Sequence, residues 1–173
     1  MKRKLVLTLG VLSLVMVFLT ACSSQPSLNE DGTPSTLQKR YLGSYSSADD
    51  NAYYFQESTN EFDFDVKNST ISDGSGEDYY TRKYVVVEED DLNSTLQGQA
   101  QKYKDQITNK DTAFYIVLDD NDVNMDGKIT ESEQQAVYEI ILSNDGKSIK
   151  IIALGAVYEY GDDFVFTGEA AEE

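Results

Sequence analysis

Apolar and polar positions change rhythm several times along this chain. Residues 5–19 are almost wholly apolar, with Thr8 and Ser13 the polar interruptions, and Lys2, Arg3 and Lys4 stand before them. A basic start followed by a short apolar run is the profile of an export signal, and the run falls short of the about 20 apolar residues that a spanning helix needs. From Ser23 to Gln38 the chain is polar and carries both of its prolines, Pro26 and Pro34. That composition predicts a flexible spacer rather than a strand, because proline donates nothing to a ladder. A folded domain is expected to begin near Arg40.

Beyond Arg40, aromatic and β-branched residues come in short runs separated by turn formers, which is a strand pattern. Phe62, Phe64 and Val66 alternate with Asp63 and Asp65, predicting a strand with one wet face. Ser72-Asp73-Gly74-Ser75-Gly76 breaks the chain before a second run, Tyr79 to Val87, and Phe114 to Leu118 is a third. A hairpin is expected from Ala136 to Leu154, turning at Asn144-Asp145-Gly146, residues that tolerate the positive φ of tight hairpin turns. Val157–Tyr160 and Phe164–Thr167, on either side of Gly161-Asp162-Asp163, look like a last pair. One segment differs: Leu92, Leu96, Tyr103 and Ile107 share a helical face, predicting a helix from Ser94 to Thr108. Ser94 with Gln97 fits a capping box, and the carboxylates of Glu88 to Asp91 would sit at the positive end of the helix dipole. The expected fold is mainly β (α+β): an antiparallel sheet, sandwich or barrel, with one inserted amphipathic helix.

Composition narrows the chemistry. The chain has 173 residues and a net charge of -17, with no histidine and one cysteine. Histidine-dependent triads, dyads and zinc sites are excluded, as is an internal disulfide. So acidic a chain repels phosphate backbones, and nucleic acid is not an expected partner. The 12 tyrosines suit either the core and rim of a sheet or a contact surface for a protein or glycan. Asp63 with Asp65, and Asp162 with Asp163, are paired carboxylates of the kind glycoside hydrolysis uses, but alternating acids on a strand are more simply solvent-facing. No catalytic residue is assigned, and a glycan hydrolase stays as an alternative.

The lone cysteine closes the export signal. Leu19-Thr20-Ala21-Cys22 resembles the lipobox of bacterial lipoprotein precursors, in which the cysteine sulfur is diacylated, palmitate being one such acyl chain, and the preceding bond is cut. The resemblance implies a signal peptide over 1–21, lipidated Cys22 leading a tether over 22–39, a β-rich domain over 40–168 and an acidic tail over 169–173. It places the chain on the extracytoplasmic face of the cell membrane, in the cell envelope. Two acyl chains hold a protein on a bilayer where one is marginal.

Residues 122–133, DVNMDGKITESE, match the calcium-loop pattern at every specified position. Calcium takes six to eight oxygens. Asp122, Asn124 and Asp126 can each point an oxygen inward, Gly127 permits the sharp turn, and Lys128 offers its carbonyl. Thr130 acts directly or through water, and Glu133 closes the sphere with both oxygens. The loop resembles that of the EF-hand family, which also has an apolar residue where Ile129 stands. Outside it the resemblance fades: Asn121 and Gln134 occupy positions that the family makes apolar, and no second loop is there to pair with Ile129. The expectation is a lone structural Ca2+ site between sheet elements. Separately, Tyr41-Leu42-Gly43-Ser44-Tyr45 is similar to the opening of lipocalin-like barrels, which implies as an alternative the binding of a small apolar ligand.

Overall fold

A computed structural model describes residues 27–46, 55, 59–74, 76, 80–119, 137–154 and 164–172. The described strands form a closed antiparallel barrel of eight in chain order: β1 (Arg40–Ser46), β2 (Glu61–Asp65), β3 (Thr70–Ser72), β4 (Thr81–Val87), β5 (Thr112–Leu118), β6 (Val137–Ser143), β7 (Ser148–Ala153) and β8 (Val165–Ala170). The seam is β1 on β8, in register from Tyr41↔Ala170 to Ser46↔Val165. The expected fold class is therefore present, and between sandwich and barrel it is a barrel.

Residues directly opposite in a ladder share a face, so the register separates lumen from outer wall. Tyr41, Phe62, Phe64, Ile71, Tyr84, Ile116, Leu118, Tyr138, Ile140, Leu142, Ile149, Ile151 and Phe166 point inward and are all buried. An eight-stranded barrel has just enough room for its own side chains. Here aromatic edges fill it: Phe62 meets Phe55 at 4.8 Å and Phe166 at 4.7 Å, and Phe64 meets Tyr41 at 6.1 Å.

The outer wall is wet on one side and covered on the other. Leu42, Ser44, Asp65 and Thr167 are exposed, whereas Tyr115, Val117, Glu139, Ile141 and Ile152 are buried. The connection from β4 to β5 supplies cover over Tyr115 and Glu139. It holds a 3-10 turn at Glu89–Asp91, helix α1 (Ser94–Ala100), and a second 3-10 turn at Lys104–Gln106. Leu92, Leu96 and Ala100 are buried, with Tyr103 and Ile107 packed on the core as the helical stripe predicts. Two details differ from expectation. The cap is Asn93, whose side chain accepts from the Thr95 and Leu96 amides, while Gln97 donates to the Leu92 and Glu89 carbonyls. After Gln101 the winding tightens: Lys102, Tyr103 and Gln106 donate to carbonyls three residues back.

The expected spacer is folded from Ser27 onward. Leu28 bridges Pro34, the Asn29 amide donates to the Thr33 carbonyl, and Gly32 turns with φ +87°. Asp31 accepts from the Thr33 amide and hydroxyl and, at 2.6 Å, from the Tyr84 hydroxyl. Tyr41 then ties this segment to the barrel, accepting from the Gln38 amide at 2.9 Å and donating to the Gly146 carbonyl at 2.8 Å. The prolines argue against order, yet Asp31-Gly32 is itself a tight-turn signal, and a hairpin this small needs few apolar residues when the barrel supplies the partners. The acidic tail also begins later than expected: Glu169 lies in β8, accepting from Ser148, and the Ala171 amide still donates to Arg40.

Candidate functional site

Strand direction assigns every connection to one of two barrel ends. The folded N-terminal segment, the β2–β3 turn, the helical connection and the β6–β7 turn lie at one end. The connections 47–60, 73–80, 119–136 and 154–164 leave from the other.

The expected calcium ligands Asp122, Asn124, Asp126, Lys128, Thr130 and Glu133, and the expected lipidated Cys22, lie outside the described residues, as do Asp162 and Asp163. What the structure gives is the frame of the loop in which calcium is expected. Connection 119–136 joins neighbouring strands whose ends are paired at Val117↔Val137, and the Asp119 amide donates to the Lys83 carbonyl. Ordinary hairpin loops have 2–5 residues, so this one holds far more chain than the step between two strands requires. Its donor set, carboxylates with one amide, one hydroxyl and a carbonyl, suits a hard cation. Among the described residues no group of metal-ligating side chains comes together. Of the other paired acids, Asp63 is held by Arg40 at 2.7 Å and Asp65 accepts from Asn68 at 2.7 Å.

A second site lies at the opposite end and straddles the barrel rim, since Val86 faces inward with its partner Ile116 while Val87 and Tyr115 face outward. A partly open cleft of about 710 Å³ is bounded by the N-terminal hairpin (Leu28, Pro34), the end of β4 (Val86, Val87), the start of β5 (Ala113, Tyr115) and the helical connection (Ala100, Lys104, Ile107). Its walls are mainly apolar because two covering segments meet over an apolar stretch of barrel. Glu139 of β6 interrupts that surface. It is 1% exposed, and its register partner Tyr115 reaches Oε1 only at 3.5 Å. Glu139 Oε2 has no hydrogen-bond partner among the described residues.

Burial raises the Glu139 carboxyl to about 7; the Tyr115 contact opposes this, Glu89 reinforces it, and Lys104 and Lys150 oppose it. Both lysines have other partners: Lys104 pairs with Glu89 at 3.2 Å and Lys150 donates to Gln106 at 2.7 Å. Burial and Glu139 also push the Tyr115 hydroxyl up from its usual value. The sequence did carry a signal for this site, namely one acid inside the apolar run Val137 to Leu142. Only the three-dimensional cover over β6 turns that acid from a solvated residue into a buried one.

No protein-family model matches the chain, and comparisons with curated proteins and with solved structures find no match either. Among the described residues no helix is long and apolar enough to cross a membrane.

Proposed function

We propose that this chain is an extracytoplasmic lipoprotein, anchored to the cell membrane through Cys22, whose barrel is a surface-binding module supported by one Ca2+ ion in loop 122–133. One observation carries the reading: a complete calcium-loop pattern falls inside a connection whose two ends are fixed at paired strands. Six acidic residues against one lysine between Asp119 and Glu133 repel one another in so short a span, and a cation offsets that repulsion. Preset ends lower the ordering cost of gathering the ligands.

The anchor gives the barrel a direction. Ser27 is five residues after Cys22, a reach of at most about 18 Å. The helical end would therefore face the bilayer, and the barrel end from which connection 119–136 leaves would face away, toward surface proteins or glycans. Millimolar calcium outside a cell fills a site of the modest affinity found in extracellular modules.

Titration calorimetry of the exported protein is expected to show one calcium per chain, with magnesium bound more weakly because it gives up its waters reluctantly. At ten times the dissociation constant, calcium adds about 1.4 kcal/mol of stability. Glu133→Gln removes a bidentate carboxylate, so it should weaken calcium at least about tenfold while raising the melting temperature of the calcium-free form. No calcium uptake at millimolar concentration, or equal uptake by the variant, refutes the site. For the anchor, Cys22→Ala should accumulate as an unprocessed precursor that carries no acyl chains by mass spectrometry. Normal processing of that variant refutes lipidation.

The closed barrel favours a second reading, a lipocalin-like carrier of a small apolar ligand. Among the described residues, however, the lumen is filled by Phe62, Tyr138, Ile140 and Phe166, each 0% exposed.

A further inference from the structure

We infer that the cleft at the barrel rim, between the N-terminal hairpin and the helical connection, binds a small amphipathic amine: an apolar body against Val87, Ala100 and Ile107, and an ammonium group on Glu139. The inference depends on neither the calcium loop nor the anchor.

Four observations lead to it. The cleft, about 710 Å³, falls within the 300–1,000 Å³ of small-molecule sites, which are typically apolar with a few placed polar groups. Its one deeply buried charged group, Glu139, has an oxygen without a partner and a second held only by a long contact. A buried carboxylate left so is costly, and a charge-assisted donor on a ligand removes that cost. The nearby lysines do not serve: Lys104 is engaged by Glu89 at the rim and Lys150 by Gln106. Finally, the net charge of -17 draws cations and repels anions, so the field around the molecule and the group at the bottom of the cleft favour the same ligand charge.

Glu139 faces Tyr115 from β5, Glu89 and Lys104 from the helical connection, and Lys150 from β7. Glu139 is expected to change charge near neutral pH, which gives the site a distinctive readout.

The test compares three probes with one apolar body and different heads: 2-phenylethylamine, 2-phenylethanol and 3-phenylpropionate, titrated calorimetrically into the full chain. The amine is expected to bind about tenfold more tightly than the alcohol at pH 8, and the carboxylate not at all. Amine affinity should fall several-fold from pH 8 to pH 5.5 as Glu139 gains a proton, because the ammonium stays charged throughout. Glu139→Gln should lower amine affinity to that of the alcohol. Ala113→Phe, at an exposed lining position, should block both by filling the cleft without disturbing the core. Three results each overturn the proposal: no amine binding by the folded wild type, a carboxylate bound as well as the amine, or an amine affinity independent of pH. Unchanged binding by folded Ala113→Phe places the ligand elsewhere and overturns the assignment to this cleft.

Discussion

Replacing Gly43 with alanine is expected to destabilise the barrel by about 3 kcal/mol, the upper end of what a single added methyl does in a packed site. Gly43 lies opposite Gly168 on the seam where β1 closes against β8. A Cβ at Gly43 would stand 2.0 Å from the Thr167 carbonyl oxygen and 2.6 Å from the Gly168 Cα. Those are backbone atoms, so relief requires the two strands to part at the one ladder that makes a sheet into a barrel. Gly168→Ala provides the comparison. Its Cβ would meet the buried Phe166 ring at 2.6 Å and 2.9 Å and the Leu42 carbonyl oxygen across the seam at 3.0 Å; that backbone contact is milder than the one at Gly43, so a smaller loss of about 2 kcal/mol is expected. Urea unfolding of both variants tests the order. A Gly43→Ala midpoint equal to wild type, or higher than that of Gly168→Ala, would show that the seam is looser than its contacts imply. Because domains of this size have about 5–15 kcal/mol in hand, the Gly43 variant is expected to fold but to unfold early.

That seam marks the boundary of what the sequence discloses. Strands β2, β4, β5, β6, β7 and β8 are visible in it because period-2 alternation and turn residues are local signals, whereas Val157–Tyr160, expected to pair with Phe164–Thr167, lies outside the described residues. The β6–β7 turn has positive φ at Asn144, Asp145 and Gly146, as their side chains allow. Gly146 is further constrained, since a Cβ there would stand 1.8 Å from the Thr36 carbonyl oxygen. By contrast β3 spans only Thr70–Ser72, too short for any period to show, and Gly43 and Ser44 interrupt the apolar pattern of β1. Closure of β1 on β8 joins the two ends of the domain, and no local pattern records it; sandwich and barrel have the same alternation. The helix position follows from its apolar stripe, but the choice between Asn93 and Ser94 as cap turns on one residue of chain direction at its entry.

The site divides in the same way. The proposed calcium loop is contiguous in sequence, because such ligands come from one turn of chain, so its twelve-residue pattern can be read without a fold. The cleft is assembled from the N-terminal hairpin, β4, the helical connection, β5 and β6, and its chemistry rests on Glu139, which is ordinary in sequence. Of the tyrosines, Tyr41, Tyr84, Tyr115 and Tyr138 are buried, which agrees with core rather than contact surface for those four. Their partners differ. Tyr41 pins the N-terminal segment, Tyr84 holds Asp31, Tyr115 reaches Glu139, and Tyr138 packs against Phe55 at 5.7 Å.

Glu139 also sets the second large expected effect, a loss of stability with rising pH that Glu139→Gln abolishes. Its carboxyl is raised from 4.5 to about 7 in the folded protein, first of all by burial. Below about pH 4.5 the group is protonated whether the chain is folded or not, and it makes no difference. Between 4.5 and 7 the folded protein keeps a proton that the unfolded chain releases, so stability falls by about 1.4 kcal/mol per pH unit. Above 7 both states are ionised and the loss levels off, at a total on the order of 3 kcal/mol. Asp65 and Asp111 are shifted the opposite way, below 3.8, by hydrogen bonds from Asn68 and from Ser143 and Thr108. Their contributions are lost only as pH falls below that range, outside the Glu139 window. General repulsion in so acidic a chain also grows with pH, and subtracting the variant from the wild type cancels most of it. The glutamine amide keeps the size of the side chain and cannot ionise. The two proteins should therefore differ most at pH 8, with the variant the more stable, and least at pH 4.5. Calcium-free urea unfolding at half-unit pH steps measures the difference. A constant gap between the two curves from pH 4.5 to 8 would mean that Glu139 ionises as readily in the folded protein as in water, and that its burial carries no electrostatic cost.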